Sequence, residues 1–295
     1  MKKYRLFIFV FLLILIGTQI SALEKHLSLK GIPSQGGLIF GTISEAVKQV
    51  NLDGEKLHLI GRSFIYGFDR DAELVHEITL IFDDHSEFIK FDIAKYEYDI
   101  QKITRVQKKY VAPPADPFLA NKIQLEANTL KAIRKQMSKN IFFYADSIFI
   151  RPVEKGWISS DFGGQRIING VPQRPHSGLD IAVPKGTEIK AMTNGVVSLT
   201  GDYFYNGKFV LIDHGSGLSS IYLHMSKISV EKGDFVKIGD KIGEVGSTGR
   251  STGNHLHWGI KWYKSRINPS LMLKPQDEFL VFKSKITEDK ILSNK

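Results

Sequence analysis

The chain has 295 residues, which is room for two domains, and its 42% hydrophobic content is sufficient for a sizeable core. It contains no cysteine. This excludes disulfides and thiolate-ligated zinc, and leaves His, Asp and Glu as the strong metal ligands. The formal charge is +9. Because the basic residues are scattered, without an arginine-rich helix or an aromatic ladder, we expect no nucleic-acid partner.

Residues 1–22 have the pattern of a secretory signal peptide. Three basic residues within the first five precede an uninterrupted apolar run over residues 6–16, and the segment ends at Ala22. The run is shorter than the about 20 residues that span a bilayer. We therefore predict secretion across the cytoplasmic membrane to the periplasm or cell envelope, with the segment removed. If it stayed uncleaved, it would associate the protein with the inner membrane.

Residues 23–112 predict a small β domain, built as a sandwich of short strands. Asp53-Gly54 is a hairpin signal between two apolar stretches. Four histidines in this region show no metal-ligand spacing, and we interpret them as surface residues: His26, His58, His76 and His85. The domain carries no motif with an evident chemical role.

Residues 113–145 predict a proline-rich break followed by a helix. Asp116 is a good N-cap, and Pro117 suits the first helical position. Five apolar residues at helical spacing form one stripe, which predicts a helix to about Asn140 that packs on one or both domains: Leu119, Ile123, Leu130, Ile133 and Met137. We also expect the N-terminal domain or this helix to restrain access to the cleft of the C-terminal region.

Residues 146–275 change to strands and glycine turns, and residues 276–295 form a tail. Pro184–Ala191 resembles Glu231–Ile238, and each stretch is followed by a second strand. This repeat predicts a unit with internal pseudo-symmetry. The chain as a whole is predicted to be mainly β, with a C-terminal antiparallel sheet or sandwich after the small β domain and the connecting helix.

Two histidines two residues apart are the strongest chemical signal. His255 and His257 alternate with large apolar residues up to Trp262. In a strand this alternation places the apolar side chains in the core and both histidines on the other face. A solvent-facing polar strand would explain an isolated pair. The other histidines of this region favour a site instead.

His176 and Asp180 stand four residues apart, on a turn that enters a strand, where imidazole and carboxylate can converge on one ion. Nitrogen and carboxylate ligands without thiolate suit a zinc ion that keeps its fourth position for water. His224 follows a strand and would on its own be a structural histidine. His214 we interpret as structural.

These elements, in this order and spacing, resemble the lysostaphin-like, LytM-type zinc metallopeptidases. The resemblance rests on His-x-x-x-Asp, Tyr-x-His and Gly-x-x-x-Gly-x-His-x-His, and on the stretches around them, over about residues 150–272. It implies one zinc ion per chain, held by His176, Asp180 and His257, and a catalytic pair formed by His224 and His255. No residue of these five is lost.

Three further residues are candidates for the substrate cleft: Arg166, Asn169 and Tyr222. For Arg166 and Asn169, structural hydrogen bonding is an equal alternative. The resemblance also implies a peptidoglycan hydrolase that cuts peptide cross-links, with a D,D-endopeptidase favoured over a glycyl-glycine enzyme, and stem peptides of the cell wall as its partners. Two alternatives stay open: a non-catalytic regulator that binds a wall amidase or wall peptide, and a carboxypeptidase that trims uncross-linked stems.

Overall fold

A computed structural model describes residues 25–104, 106–111, 114–139, 142 and 149–273. The predicted signal segment and the predicted tail lie outside these residues. The described part is mainly β, with antiparallel sheets, and the predicted fold class is confirmed. Within it, no helix has the length and apolar character needed to cross a membrane.

The N-terminal unit consists of two small sheets that share one core. Its first seven strands are β1 (Leu27–Gly31), β2 (Leu38–Ile43), β3 (Gln49–Leu52), β4 (Glu55–Lys56), β5 (Ser63–Gly67), β6 (Val75–Ile81) and β7 (Ser86–Asp92). The sheets have the orders β1-β2-β5 and β4-β3-β6-β7, and apolar residues of both meet in one cluster. The predicted hairpin is present, because Asp53 and Gly54 both have positive φ and join β3 to β4.

One histidine of this unit is not a surface residue, and the prediction for His76 was wrong. Its side chain is 6% exposed. The Nδ1 atom lies 2.6 Å from Asp53 Oδ2, and the Nε2 atom lies 2.9 Å from the carbonyl oxygen of Glu73. These polar partners make the burial of the imidazole tolerable.

The strand that ends the N-terminal unit pairs with the C-terminal unit. Strand β8 (Ile100–Ile103) runs parallel to β10 (Gln165–Ile168), which also pairs with β11 (Val171–Pro172). A short 3₁₀ turn follows at Lys108–Tyr110. The predicted boundary at residue 112 stays a prediction, but β8 shows that the two units are joined by backbone hydrogen bonds.

The connecting helix α1 (Pro117–Lys135) begins as predicted, with Asp116 Oδ1 accepting from the backbone N–H of Phe118 at 2.9 Å. It ends at Lys135, earlier than the predicted Asn140, whose own position lies outside the described residues. The predicted apolar stripe is half-buried, and helix residues contact the C-terminal sheet.

The C-terminal unit contains the remaining strands: β9 (Trp157–Ser160), β12 (Leu179–Ala182), β13 (Glu188–Lys190), β14 (Gly195–Tyr203), β15 (Gly207–Gly215), β16 (Leu218–Ile228), β17 (Phe235–Val236), β18 (Lys241–Val245), β19 (His255–Trp262) and β20 (Ser265–Ile267). Helix α2 (Pro269–Met272) follows them. The main path of the sheet has the order β17-β14-β15-β16-β19-β12-β9. Strands β16, β19 and β12 are therefore central neighbours, and they carry the candidate site.

The predicted repeat appears as crosswise pairing. Strand β13 of the first copy pairs with β18 of the second, and β17 of the second copy pairs with β14 of the first. Both strands of each copy therefore pair with a strand of the other copy.

The core of the C-terminal unit includes the predicted inward residues Leu256, Trp258 and Ile260. Apolar residues of β2 and β5 join the same core. An ion pair between Arg266 and Asp69 adds a polar contact between the two units.

Candidate active site

Three predicted metal ligands lie within contact distance of one another. His176 precedes β12, Asp180 lies on β12, and His257 lies opposite Asp180 on β19. Asp180 Oδ1 is 3.0 Å from His176 Nε2 and 2.7 Å from His257 Nδ1, and the two nitrogens are 3.0 Å apart. All three residues are buried. They form a group of potential metal ligands within the described residues.

The hydrogen bond at the far side of His176 determines which nitrogen can bind a metal. Its Nδ1–H donates to the carbonyl oxygen of Asp161 at 2.7 Å. A carbonyl oxygen only accepts, so the proton is on Nδ1 and the Nε2 lone pair faces Asp180 and His257. This arrangement is the usual one for a metal-binding histidine.

The donor set fits zinc. A tetrahedral zinc ion with ligand bonds of about 2.1 Å separates its ligand atoms by about 3.4 Å, close to the spacing of these three atoms. Lone pairs of a carboxylate and two imidazoles repel one another at such distances unless a positive charge lies between them. Burial lowers the pKa of His257 to about 4, so this imidazole is uncharged at neutral pH.

Asp180 is held on both sides. Its Oδ1 faces the two histidines, and its Oδ2 accepts a hydrogen bond from Arg166 Nη2 at 2.5 Å. The ion pair with Arg166 favours the charged form of the Asp180 carboxyl group. The carboxyl group is therefore ionised and oriented. Arg166 thus contacts the site as a partner of the ligand.

The two predicted catalytic histidines use the same nitrogen, Nδ1, to bond the backbone. The Nδ1–H of His224 donates to the carbonyl oxygen of Thr248, and the Nδ1–H of His255 donates to that of Gly253, both at 2.8 Å. Each imidazole therefore has Nε2 free for proton transfer. The two ring centroids are 4.8 Å apart, and His255 Nε2 lies 3.9 Å from Asp180 Oδ1.

His224 reaches this position through a break in strand geometry. Regular alternation would place it with Tyr222, on the face opposite His257, because Leu223 is the residue paired with His257. On the other side of β16, Val210 pairs with Tyr222 but Lys208 pairs with Met225, so one extra residue is accommodated. His224 has φ 63°, in the left-handed region. This bulge turns its side chain towards His255 and His257.

Tyr222 is not a cleft residue, and that prediction was wrong. The side chain is 0% exposed within the apolar core, and its hydroxyl oxygen accepts from the backbone N–H of Met192 at 3.0 Å. The bulge at His224 separates the two residues that alternation placed together.

Asn169 is exposed in the turn between β10 and β11, and its amide donates to the carbonyl oxygen of Val106 at 2.8 Å. This hydrogen bond agrees with the alternative that Asn169 has a structural role.

His214 is buried, as its structural interpretation requires. Its Nδ1–H donates to the carbonyl oxygen of Asn194 at 2.7 Å, and its Nε2 lies 2.8 Å from Ser220 Oγ.

Sequence reasoning missed two residues of the site, Ser160 and Gln101. Ser160 Oγ lies 3.1 Å from His176 Nδ1 and accepts from Arg166 Nη2 at 2.8 Å. Neither residue lies in a motif, so no local signal identifies them.

A groove of about 480 Å³ leads away from the ligands. It is lined by Asp180, Ala182 and His255, by residues of β8, and by the loop Thr252–Asn254. The groove therefore reaches one proposed ligand, Asp180, and one of the two predicted catalytic histidines, His255.

Residues 174–269 match the family model of peptidase family M23. This C-terminal part of the chain is an M23 peptidase domain of the LytM, lysostaphin-like type, and the predicted resemblance is confirmed. The family is zinc-dependent, and the His-Asp-His group needed to bind the metal is present.

Curated relatives are similar over this part of the chain. Peptidoglycan DD-endopeptidase ShyA of Vibrio cholerae is 46% identical over 112 residues, which are 37% of this chain and 26% of the relative. DD-carboxypeptidase/endopeptidase Mpg of Neisseria meningitidis is 38% identical over 129 residues, which are 44% of this chain and 30% of the relative. The chain thus spans less than a third of the length of either relative.

Similarity to a solved structure extends over most of the chain. A putative peptidase M23 from Pseudomonas aeruginosa has a TM-score of 0.61 at 28% identity, covering 82% of this chain and 94% of that one. The fold of this chain beyond the M23 domain therefore also has a counterpart in a solved structure.

Proposed function

We propose that this chain is a zinc-dependent peptidoglycan endopeptidase that hydrolyses peptide cross-links of the bacterial cell wall. One observation carries the proposal: a three-ligand group lies beside two histidines, each of which donates its Nδ1–H to a backbone carbonyl oxygen and so keeps Nε2 for proton transfer. The names of the similar relatives, peptidoglycan DD-endopeptidase ShyA and DD-carboxypeptidase/endopeptidase Mpg, support the substrate class and the D,D specificity.

The residues of this chain would divide the work as follows. His176, Asp180 and His257 would hold one zinc ion per chain, which when bound acidifies a water molecule and polarises the scissile carbonyl. A neutral histidine of the pair His224 and His255 would take the proton of the water at Nε2 and deliver it to the leaving amine. The other, protonated at Nε2, would donate a hydrogen bond to the oxyanion.

The site of action would be the periplasm or cell envelope, reached by secretion across the cytoplasmic membrane. The signal-like pattern over residues 1–22 and the cell-wall names of the relatives support this location. Stem peptides of peptidoglycan would be the partners.

Digestion of purified sacculi by the full chain, with and without a chelator, tests the proposal. We expect soluble muropeptides and loss of cross-linked dimers from the zinc-loaded protein, and no release after chelation. Absence of any release from zinc-loaded protein would favour the non-catalytic alternative, a regulator that binds a wall amidase or wall peptide.

A carboxypeptidase is the second candidate, and the name of the relative Mpg favours it. Loss of a terminal D-alanine from uncross-linked stems, with dimers unchanged, would identify that reaction. One muropeptide profile distinguishes all three outcomes.

A further inference from the structure

Gln101, a residue of β8, contacts the network around the proposed zinc site from outside the M23 domain. The match to the family begins at residue 174, and Gln101 lies far upstream of it. The parallel pairing of β8 with β10 places Gln101 directly opposite Arg166. The N-terminal unit thus delivers an amide to a site that the C-terminal unit otherwise forms.

The neighbours of Gln101 determine how its amide is oriented. Oε1 lies 2.6 Å from Ser160 Oγ and 3.5 Å from Arg166 Nε. A guanidinium only donates, so the oxygen of the amide must face this side. The amide nitrogen then faces the carbonyl oxygen of Asp161, at 3.5 Å.

This orientation determines the direction of the Ser160 hydroxyl. Its single proton is donated to Gln101 Oε1, and the lone pairs of Oγ remain for donors on the other side. Those donors are Arg166 Nη2 at 2.8 Å and the Nδ1–H of His176 at 3.1 Å, which is shared with the carbonyl oxygen of Asp161. Without an acceptor at residue 101, the hydroxyl proton would turn towards these two donors and oppose them.

One of these donors is a proposed metal ligand, and the other donates to one. His176 is itself a proposed ligand, and Arg166 donates to Asp180 Oδ2, the carboxylate oxygen that faces away from His176 and His257. We propose that Gln101 is a positioning residue of the zinc site, which acts through Ser160 to orient His176 and, by way of Arg166, Asp180. This inference rests on the proposed zinc-dependent function.

The expected effect is moderate. Removing a direct outer-shell partner of a metal ligand typically costs about 10–100-fold in metal affinity. Gln101 acts one contact further out, so we expect the zinc dissociation constant to rise about fivefold to tenfold when its acceptor is lost.

The test compares Gln101→Met with Gln101→Glu in the full chain. Methionine keeps the volume but offers no oxygen, whereas glutamate keeps an acceptor for Ser160 and Arg166. Zinc dissociation constants are measured by competition with a chelator, and thermal unfolding verifies that each variant is folded. We expect the zinc dissociation constant to rise about fivefold to tenfold in Gln101→Met and to stay within about threefold of the wild-type value in Gln101→Glu.

Gln173→Met is the matched control, because the side-chain Nε2 of Gln173 donates to the carbonyl oxygen of Val111 at 3.2 Å, whereas Gln173 contacts Arg166 through its backbone N–H, which the substitution retains. Ser160→Ala and the double variant Gln101→Met/Ser160→Ala complete a double-mutant cycle. We expect the double variant to bind zinc no more weakly than Ser160→Ala alone.

An unchanged dissociation constant for Gln101→Met, equal losses for Met and Glu, or additive losses in the cycle would overturn the inference. These readouts need no substrate, so they are separate from the sacculus experiment. If the wild-type chain bound no zinc at all, the proposed function itself would fail. Normal zinc binding without muropeptide release would overturn the hydrolase proposal and leave the role of Gln101 intact.

Discussion

At the scale of single residues, His224 has the least expected conformation of the site. A left-handed φ at a non-glycine residue costs about 1–3 kcal/mol and persists only where the surroundings impose it. Here the Nδ1–H bond to Thr248 and the neighbouring His255 and His257 rings surround the side chain. The strained backbone therefore coincides with the proposed catalytic role.

The division between ligands and proton carriers predicts two different losses. His257→Ala removes a ligand atom, so zinc and activity should disappear together. His255→Ala leaves all three ligand atoms in place, so zinc should remain while the rate falls about 10²- to 10⁴-fold. Metal content after gel filtration and muropeptide release measure both effects. Loss of zinc from His255→Ala would contradict the assignment.

Gly178 is needed because His257 packs against its backbone. A Cβ added at this position would lie 2.7 Å from His257 Nε2 and 2.6 Å from the carbonyl oxygen of Trp258. We expect Gly178→Ala to lower the free energy of unfolding by about 1–3 kcal/mol and to weaken zinc binding, because the ligand ring must move. Urea denaturation and chelator competition test this. Wild-type values for both would show that the ring has room to adjust.

At the scale of elements, residues 106–111 contact two separate elements of the C-terminal unit. On one side Asn169 and Gln173 donate to carbonyl oxygens of this segment. On the other side the Tyr110 ring lies 5.0 Å from Phe204 and 6.3 Å from Tyr205, in the turn between β14 and β15. A segment held at both of these places allows a test of the prediction that the region before the M23 domain restrains access to the cleft.

Tyr110→Ala should therefore increase activity. Losing the aromatic contacts weakens the attachment of this segment on one side, and we expect the turnover of sacculi to rise a few-fold while zinc affinity stays unchanged. Phe118→Ala is the control, since Phe118 is 86% exposed on helix α1. If turnover falls or stays the same in Tyr110→Ala, the segment does not restrain the cleft.

The elements that sequence predicted best are those determined by neighbours along the chain. The Asp53-Gly54 hairpin, the Asp116 N-cap and the alternation from His255 to Trp262 all depend on residues within a few positions. The bulge at His224 was not predictable, because it arises where β16 passes from one set of partner residues to another. The pairing of β8 with β10 also escaped prediction, because it joins segments 65 residues apart by backbone bonds that carry no side-chain signature.

At the scale of the whole molecule, the buried His214 makes stability depend on pH. Burial lowers its pKa from 6.5 to about 4 in the folded chain. Between these values the unfolded chain binds a proton that the folded chain does not, so the free energy of unfolding decreases as pH falls from 6.5 to 4. The full contribution is about 3 kcal/mol and is present above pH 6.5.

His214→Asn should reduce this dependence, because its amide can still donate to Asn194 but does not titrate. Urea denaturation of wild type and variant between pH 4 and 8 measures it. Between pH 4 and pH 6.5, the free energy of unfolding should increase by up to about 3 kcal/mol more in the wild type than in the variant. Parallel curves would show that His214 is not the group responsible.

The parallel pairing of β8 with β10 also has a consequence for how the chain can be divided. The segment that matches the M23 family begins after β10, and a fragment that begins after β8 leaves one edge of β10 without hydrogen-bond partners. Unpaired strand edges recruit other chains. A catalytic fragment prepared this way would tend to self-associate during expression, and its solubility would improve with a charged residue or a proline on that edge.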